Sequence, residues 1–277
     1  MSKRYENNSS PTELLPGDIE YEMGTPIPGV ILRKEQWVQT AIKRLPDESL
    51  QLSEIFARSA PIAVDIGCGN GRFTISSAVR RPDWDHIGID ILPAVIRYGT
   101  RRGNQRGLSN VRFAVCDGWR FLEKYLPKNS VNEFHIYHPQ PYADPTLSSR
   151  RMLTPEFMAM MHERLSDGGQ VYLQSDRREY WDYIKTIMER MFVWHEVDGP
   201  WPEDEYGRSR REVLSVEQGL KIYRGVGTKR SDLTAEEMQT ILLELPQPKF
   251  QVEGGERRSK RTLRKRPNRP GKPKRNR

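Results

Sequence analysis

The chain has 277 residues, 36% of them hydrophobic, and a formal net charge of +8 at pH 7. This length suits one α/β domain with appendages, and no apolar run approaches the roughly 20 residues that a membrane helix needs. The first residues, MSKRYENNSSPTELLPGD, contain no apolar signal segment, so we expect a soluble protein of the cytoplasm.

The elements before residue 61 are irregular. Residues 1–34 are polar and contain four prolines, which predicts an arm that is loosely ordered at best. Residues 35–59 have the pattern of one or two short helices. We therefore assign residues 1–60 to an N-terminal arm with short helices.

From Pro61 onward, short apolar runs alternate with helical segments, which indicates βαβ units. The predicted strands are 62–66, 86–90, 111–115, 132–137 and 169–174, followed later by 192–197 and 220–226. The predicted helices are 71–80, 93–106, 118–126, 154–165 and 178–191. This order predicts an α/β fold over residues 61–230, a doubly wound and mostly parallel sheet with helices on both faces, followed by a helical extension at 231–253.

The positive charge is concentrated in the last segment. Residues 254–277 contain twelve Lys or Arg and one Glu, a net charge of +11, whereas the other 253 residues carry a net charge of −3. Apart from Thr262 the segment lacks aromatic and β-branched residues, so we expect a disordered basic tail. Such a tail can bind nucleic acid by neutralising phosphates, and a merely solubilising tail is the alternative.

A glycine-rich motif joins the first predicted strand to its helix. Asp65 is followed by Gly67, Gly69 and Gly71, and glycines there allow a tight turn and close approach to a ligand. Dinucleotide enzymes space these residues as G-x-G-x-x-G, which this chain does not match. The pattern D-x-G-x-G-x-G resembles the first motif of class I methyltransferases, whose ligand S-adenosylmethionine presents a methionine moiety instead of a phosphate.

Two further acids follow the next two strands. Asp90 ends the second strand, where an acid can hydrogen-bond both ribose hydroxyls, and Asp117 follows the third, where an acid suits the amino group of an adenine. Because the carboxyl ends of parallel strands share one edge of a sheet, these acids and Asp65 form one candidate cofactor site. Each acid by itself is also a typical helix N-cap.

With these residues placed, the chain resembles the bacterial tRNA (guanine-N7)-methyltransferase family from about Ala63 to Gly225. The shared segments are DIGCGNGRF (65–73), GIDI (88–91), GLSNVRF (107–113), LPKNSV (126–131), Arg150-Arg151, LSDGGQVYLQSD (165–176) and Glu217. The resemblance implies a Rossmann-like class I methyltransferase domain with S-adenosylmethionine as cofactor. It also implies tRNA as partner and 7-methylguanosine as product, formed in the family at variable-loop guanosine 46.

Two family motifs are altered in this chain. The family signature F-P-D-P-W-x-K corresponds to residues 138–144, where Gln140, Tyr142 and Asp144 replace its Asp, Trp and Lys. The family T-x-x-E corresponds to Leu214 through Glu217, so the Thr is lost. The resemblance assigns Gln140 to catalysis and cofactor binding, and Asp144, Leu214 and Glu217 to substrate binding. These replacements are expected to affect the choice of substrate more than the binding of the cofactor.

The chemistry of guanine narrows the remaining roles. N7 carries a lone pair and no proton, so its methylation needs alignment and no general base. Guanine N1–H and N2–H₂ are donors that a carboxylate accepts well. We therefore expect Asp176 and Glu217 to hold the guanine while Gln140 orients base or cofactor, with a helix cap and a solvated charge as the respective alternatives.

The flanking residues have weaker assignments. Arg150 and Arg151 suit phosphate contacts, with a surface pair as the alternative. His138 has no evident partner in the sequence and is not expected to act in catalysis. Two cysteines and no His cluster predict no metal site.

Two other functions stay open at this point. Gln140-Pro141-Tyr142 is similar to the N/D-P-P-Y/F/W segment with which amino-group methyltransferases grip a planar NH₂. A non-catalytic RNA-binding relative that kept the fold is a third interpretation. The cofactor-side acids argue against the last, because a pure binding module does not need them.

Overall fold

The computed structural model describes residues 14–203 and 207–252. The predicted basic tail, 254–277, lies outside the described residues. In the described part, the main sheet has seven strands. They are β3 (Ile62–Ile66), β4 (Asp85–Asp90), β5 (Val111–Val115), β6 (Val131–Tyr137), β7 (Leu165–Ser175), β8 (Phe192–Glu196) and β9 (Tyr223–Lys229).

The strand order is β5-β4-β3-β6-β7-β9-β8. Pairing is parallel from β5 through to β7, and β9 lies antiparallel between β7 and β8. The chain runs outward from β3 through β4 to β5, then returns to the other side of β3 with β6 and β7. This reversal puts a topological switch point between β3 and β6, and ligands bind at the carboxyl edge there. The predicted doubly wound, mostly parallel sheet is confirmed.

Helices cover both faces of the sheet. They are α1 (Leu52–Phe56), α2 (Arg72–Arg80), α3 (Pro93–Gln105), α4 (Gly118–Arg120, continued by a π-turn at Phe121–Tyr125), α5 (Pro155–Arg164), α6 (Arg178–Met191), α7 (Arg210–Glu217) and α8 (Ala235–Glu244). Apolar residues of α2 and α3 form one buried cluster, and those of α5 and α6 belong to a second, larger one. Because both faces are covered, all five residues of β3 are buried.

The N-terminal region differs from the expectation of a loosely ordered arm, which was wrong for its second half. Ile19–Glu22 (β1) and Thr25–Val30 (β2) form an antiparallel hairpin. Met23 and Gly24 have φ of +51° and +74°, the two positive values that a tight hairpin turn requires. Ile27 is fully buried against the cluster of α2 and α3. The prolines therefore mark an edge hairpin that docks on the domain.

Charge pairs hold the hairpin on the domain. Glu20 of β1 lies within 3.3 Å of guanidinium nitrogens of Arg101, Arg102 and Arg106. Glu22 accepts a hydrogen bond from the Asn70 side chain in the glycine loop. Buried carboxylates need such partners, and the sequence periodicity alone does not identify them. No helix within residues 14–203 and 207–252 has the length and apolar character to cross a membrane.

Candidate active site

The glycine loop connects β3 to α2 in a conformation that needs its glycines. Gly67, Gly69 and Gly71 have φ of +76°, +55° and +78°, values that L-residues adopt at a cost. The amides of Gly67 and Cys68 both donate to Ile89 O at 2.9 Å, which fastens the loop to β4. The loop is therefore fixed as a backbone cradle at the carboxyl edge.

Asp65 and Asp90 lie beside this loop. The Asp65 carboxylate is buried and accepts a hydrogen bond from Thr74 Oγ1 at 2.6 Å. Burial raises the pKa of Asp65 to about 7, with the Thr74 hydrogen bond opposing the shift and the nearby Asp90 adding to it. Asp90 accepts from the Gly69 amide at 3.1 Å and from the Leu92 amide at 2.9 Å. The glycine loop and the acid of β4 thus form one hydrogen-bonded unit.

Asp117 combines the two roles that the sequence left open. It caps α4, because its Oδ1 accepts from the Arg120 amide at 3.1 Å. The same exposed carboxylate lines a cavity of about 410 Å³, which we call the first cavity. Capping leaves acceptor capacity on the carboxylate, so its predicted contact with an adenine stays a prediction.

The first cavity has the size range of small-molecule sites, roughly 300–1,000 Å³. Its wall brings together residues that the sequence assigned to cofactor and substrate: Gly67, Asp90, Asp117, Gln140, Tyr142 and Arg150. Gln140 and Arg150 are exposed there. The predicted constellation is therefore gathered at one place, although the individual roles remain predictions.

A second cavity of about 470 Å³ adjoins the first. Asp65 and Gly69 line it, together with Arg208 before α7 and Arg210 and Arg211 in the first turn of α7. Gly67, Tyr137 and His138 line both cavities. The two spaces therefore meet at the carboxyl ends of β3 and β6, at the switch point of the sheet.

Asp144 does not face the site as expected. Asp144 caps a 3₁₀ turn (Pro145–Arg150), accepts from Thr146 N at 2.9 Å, and is absent from the described residues that line either cavity. Its contact with substrate stays a prediction.

Arg151 lines the first cavity but has internal partners. Its side chain is buried and donates to the carbonyls of Pro141, Tyr142 and Pro248 at 2.6–3.0 Å, so the predicted phosphate contact would have to replace these bonds and stays a prediction. The guanidinium carbon also lies 3.8 Å from the centroid of the Phe250 ring. A buried guanidinium must be satisfied internally, so Arg151 holds the segment after β6 in place.

Asp176, after the end of β7, is the centre of a side-chain network. Its Oδ2 accepts from Arg211 Nε at 2.8 Å, from Arg211 Nη2 at 2.5 Å and from Ser215 Oγ at 3.0 Å. Its Oδ1 lies 3.5 Å from His138 Nδ1. Burial raises the pKa of this carboxyl, but His138 and Arg211 outweigh burial and hold the pKa well below its usual range. Asp176 is therefore ionised.

The helix α7 presents residues to the site that the sequence did not single out. Ser215 and Arg211 contact Asp176, whereas Leu214 is half-buried and Glu217 is exposed at the end of the helix. Glu217 is not among the described residues lining the two cavities. Its role in holding guanine stays a prediction.

Sequence reasoning missed His138 and Arg208. His138 contacts Gln174 and faces Asp176, so the expectation that it lacks a partner was wrong. Arg208 is buried, donates to Tyr137 Oη at 2.6 Å, and lies 4.4 Å over the Trp201 ring. The position of His138 inside the altered signature was the one available signal, because its partners lie 36 and 38 residues away.

These features define a class of protein. A solved structure entitled "Crystal Structure of 16S rRNA Methyltranferase KamB" matches with a TM-score of 0.51 at 14% identity, covering 69% of this chain and 98% of that one. At this identity the likeness shows the fold alone. The fold, together with the glycine loop and the acids at the strand ends, is that of the class I methyltransferases.

The family follows from the sequence comparisons. A family model described as "Putative methyltransferase" matches residues 59–223, more than half of the chain. The chain belongs to this methyltransferase family. A tRNA (guanine-N(7)-)-methyltransferase of Nitrosococcus oceani is 27% identical over 174 residues, 63% of this chain and 74% of that protein. One of Halorhodospira halophila is 27% identical over 164 residues, 59% of this chain and 71% of that protein. The resemblance seen in the sequence is confirmed.

Proposed function

We propose that the protein is an S-adenosylmethionine-dependent tRNA (guanine-N7)-methyltransferase of the cytoplasm, with guanosine 46 of the variable loop as its expected target. The observation that carries the proposal is the junction of two cavities at Gly67, Tyr137 and His138. Asp90 and Asp117 line the first cavity, whereas Asp65 lines the second together with Arg208, Arg210 and Arg211. Such a junction suits transfer of a group from a cofactor to a base of a polyanion.

The residues present fit S-adenosylmethionine. No atom lies within 4 Å of a Cβ built on Gly67 or Gly69, so there is open space beside the backbone of the glycine loop. Asp90 and Asp117, which line the first cavity, suit ribose hydroxyls and the adenine amino group. When bound, the cofactor supplies an electrophilic methyl group. Gln140, at the same wall, is proposed to orient the base or the cofactor.

The chain's own residues then act mainly by alignment. Guanine N7 attacks without losing a proton, so no residue needs to serve as a general base. The guanine ring gains positive charge as the methyl is transferred. The ionised Asp176 near the junction favours that charge electrostatically.

Guanine recognition is proposed to involve Asp176 and Glu217. Oδ2 of Asp176 already accepts three hydrogen bonds and Oδ1 faces His138. Asp176 is not among the described residues that line either cavity, so contact with the base requires Arg211 to move. Replacement Glu217→Ala tests the second acceptor, with exposed Glu189→Ala of α6 as control. Full activity of Glu217→Ala on tRNA would remove Glu217 from the proposal.

The tRNA itself is expected to contact Arg150 and the basic tail. Arg150 is exposed at the first cavity, where a guanidinium suits a phosphate. The tail at 254–277 carries a net charge of +11, so its deletion should reduce the salt dependence of tRNA binding through fewer released counterions. An unchanged slope of log affinity against log salt would mean that the tail does not bind tRNA.

One specific observation favours a second candidate, an amino-group methyltransferase. Gln140 and Tyr142 line the first cavity together, as a residue pair that grips and stacks on a planar amino group would. The two enzymes differ in the position of the methyl group on the product.

The deciding experiment is a transfer assay on unmodified tRNA with labelled S-adenosylmethionine, followed by nucleoside analysis. We expect labelled 7-methylguanosine, and none with the variant Asp90→Ala. A label on an exocyclic amine would favour the second candidate. Saturable cofactor binding without transfer to tRNA would contradict the proposed function and indicate another substrate.

A further inference from the structure

A chain of polar contacts runs from a loop after β8 through Gln174 and His138 to the Asp176 carboxylate, and its last contact is longer than a hydrogen bond. Trp201 Nε1 donates to Gln174 Oε1 at 2.6 Å. Gln174 Nε2 lies 2.8 Å from His138 Nε2, and His138 Nδ1 lies 3.5 Å from Asp176 Oδ1. Trp201 and Gln174 are buried, at 3% and 0% exposure, so water does not replace these contacts readily.

The first donor fixes the direction of the whole chain. An indole N–H only donates, so Gln174 must present its carbonyl oxygen to Trp201 and its NH₂ to His138. His138 Nε2 must then accept, which puts the imidazole proton on Nδ1. That N–H faces Asp176. A proton on Nε2 would oppose the Gln174 NH₂, and therefore the contact favours the tautomer with its proton on Nδ1.

The backbone of His138 is held in a strained conformation that serves this contact. Its φ is +54°, an uncommon value in which His is nevertheless enriched among non-glycine residues. The His138 amide donates to Gln174 O at 2.7 Å, so the same residue of β7 holds both backbone and ring. Such strain persists where the surroundings over-determine it, often at functional sites.

We infer that Trp201, Gln174 and His138 form a positioning relay that places the ring proton of His138 on Nδ1 and directs this N–H toward the Asp176 carboxylate. This inference rests on the proposed function for its substrate, guanine. None of the three is a catalytic residue. His138 is the first residue of the altered signature, 138–144. Through this residue the relay would hold the Asp176 carboxylate.

The relay would set the orientation of the Asp176 carboxylate from the side opposite to α7. Arg211 and Ser215 hold Oδ2 from α7, and His138 faces Oδ1 from the end of β6. With both sides held, the carboxylate plane is fixed before substrate arrives. Preorganised acceptors lower the cost of binding.

The tautomer can be measured without any activity. The full chain has five histidines, so nitrogen-labelled histidine gives few side-chain signals, and the His138→Asn variant identifies those of His138. We expect the pattern of a neutral ring protonated at Nδ1 at pH 7.5. In Gln174→Glu, a carboxylate replaces the NH₂, and we expect His138 to become doubly protonated at that pH. An Nε2-protonated ring in the native protein, or an unchanged ring in Gln174→Glu, would overturn the relay.

Kinetics on tRNA test the consequence for recognition. His138→Asn keeps a residue that tolerates positive φ but removes the ring. We expect its KM for tRNA to rise about ten-fold with kcat within about two-fold, since the relay acts on binding. Trp201→Phe, which frees Gln174 to rotate, should raise KM less. His195→Asn, on the exposed face of edge strand β8, is the matched control and should match the native enzyme.

The outcomes separate the relay from the proposed function. A fall in kcat with unchanged KM in His138→Asn would overturn the positioning role. If the native protein does not methylate tRNA at all, the proposed function fails, while the nitrogen signals still decide whether the relay exists.

Discussion

The two halves of the site are held together by different kinds of interaction. On the β3–β4–β5 side, backbone groups dominate: the amides of Gly67 and Cys68 bond to Ile89 O, and the Gly69 amide bonds to Asp90. On the β6–β7 side, side chains from distant segments bond to one another, as in Asp176 with Arg211 and Ser215. The first half of the site therefore depends on local backbone geometry and the second on coupled side chains. Substitutions of these side chains should not have independent effects on stability.

The largest effect should come from breaking the backbone cradle. Gly69 and Gly71 both have positive φ, but only at Gly71 would a Cβ lie 2.9 Å from Phe113 Cζ and 3.0 Å from Gly99 Cα. Strained φ alone costs about 1–2 kcal/mol, and overpacking adds about 1–3 kcal/mol. We expect Gly71→Ala to lower the free energy of unfolding by about 2–5 kcal/mol, against about 1–2 kcal/mol for Gly69→Ala.

Urea unfolding without cofactor measures both variants. The pair is matched because each adds one methyl group to the same loop. Equal losses would mean that the packing of Phe113 on the loop does not distinguish the two glycines, and that the cradle is less rigid than its hydrogen bonds indicate.

The next effect is a pH dependence that belongs to the first half alone. The unfolded chain releases the Asp65 proton near the ordinary value of 3.8, whereas the folded protein holds it to about 7. Folding therefore takes up a proton between these values, and the stability that Asp65 contributes falls as pH rises from about 4 to about 7. Asp65→Asn removes this loss and retains an acceptor for Thr74.

We expect Asp65→Asn to be more stable than the native protein by about 4 kcal/mol at pH 8 and by about 1 kcal/mol at pH 4.5, since one pKa unit corresponds to about 1.4 kcal/mol. Its cofactor affinity should fall at the same time, a trade of function against stability. Urea unfolding at the two pH values checks the difference, with exposed Asp83→Asn as control. A difference that does not vary with pH would contradict the shifted pKa of Asp65.

Features that depend on local patterns could be predicted from the sequence, whereas features that depend on distant side chains could not. The strands, helices and cofactor-side acids were predictable because each depends on a short pattern: apolar runs for β3 to β7, and D-x-G-x-G-x-G for the loop. Boundaries moved by a few residues, as where β7 begins at Leu165 and not at 169. The hairpin β1–β2 was missed because its stability comes from Ile27 and from ion pairs of Glu20 with arginines of α3 and Arg106.

The substrate side was less predictable for a physical reason. Arg150 and Arg151 are adjacent and chemically identical, yet one is exposed at the first cavity and the other donates to three carbonyls in the interior. No local pattern distinguishes them, because the distinction depends on Pro248 and Phe250, about 100 residues later. His138 acquired its partners in the same way, through the pairing of β6 with β7.

The smallest expected effect tests coupling in the second half. In a double-mutant cycle of Asp176→Asn and Arg211→Ala, each change disturbs the same two hydrogen bonds, which Arg211 Nη2 and Nε donate to Asp176 Oδ2 at 2.5 and 2.8 Å. We expect a coupling energy of about 1–2 kcal/mol in the free energy of unfolding, within the range for residues in one network.

Arg210→Ala is the matched control, because Arg210 precedes Arg211 on α7 and lines the second cavity, and no contact with Asp176 is found for it within residues 14–203 and 207–252. A cycle of Asp176→Asn with Arg210→Ala should be additive within about 0.5 kcal/mol. If both cycles were additive, the Arg211 contact would be only a surface ion pair of little energetic value, and the two halves of the site would not differ in the way proposed.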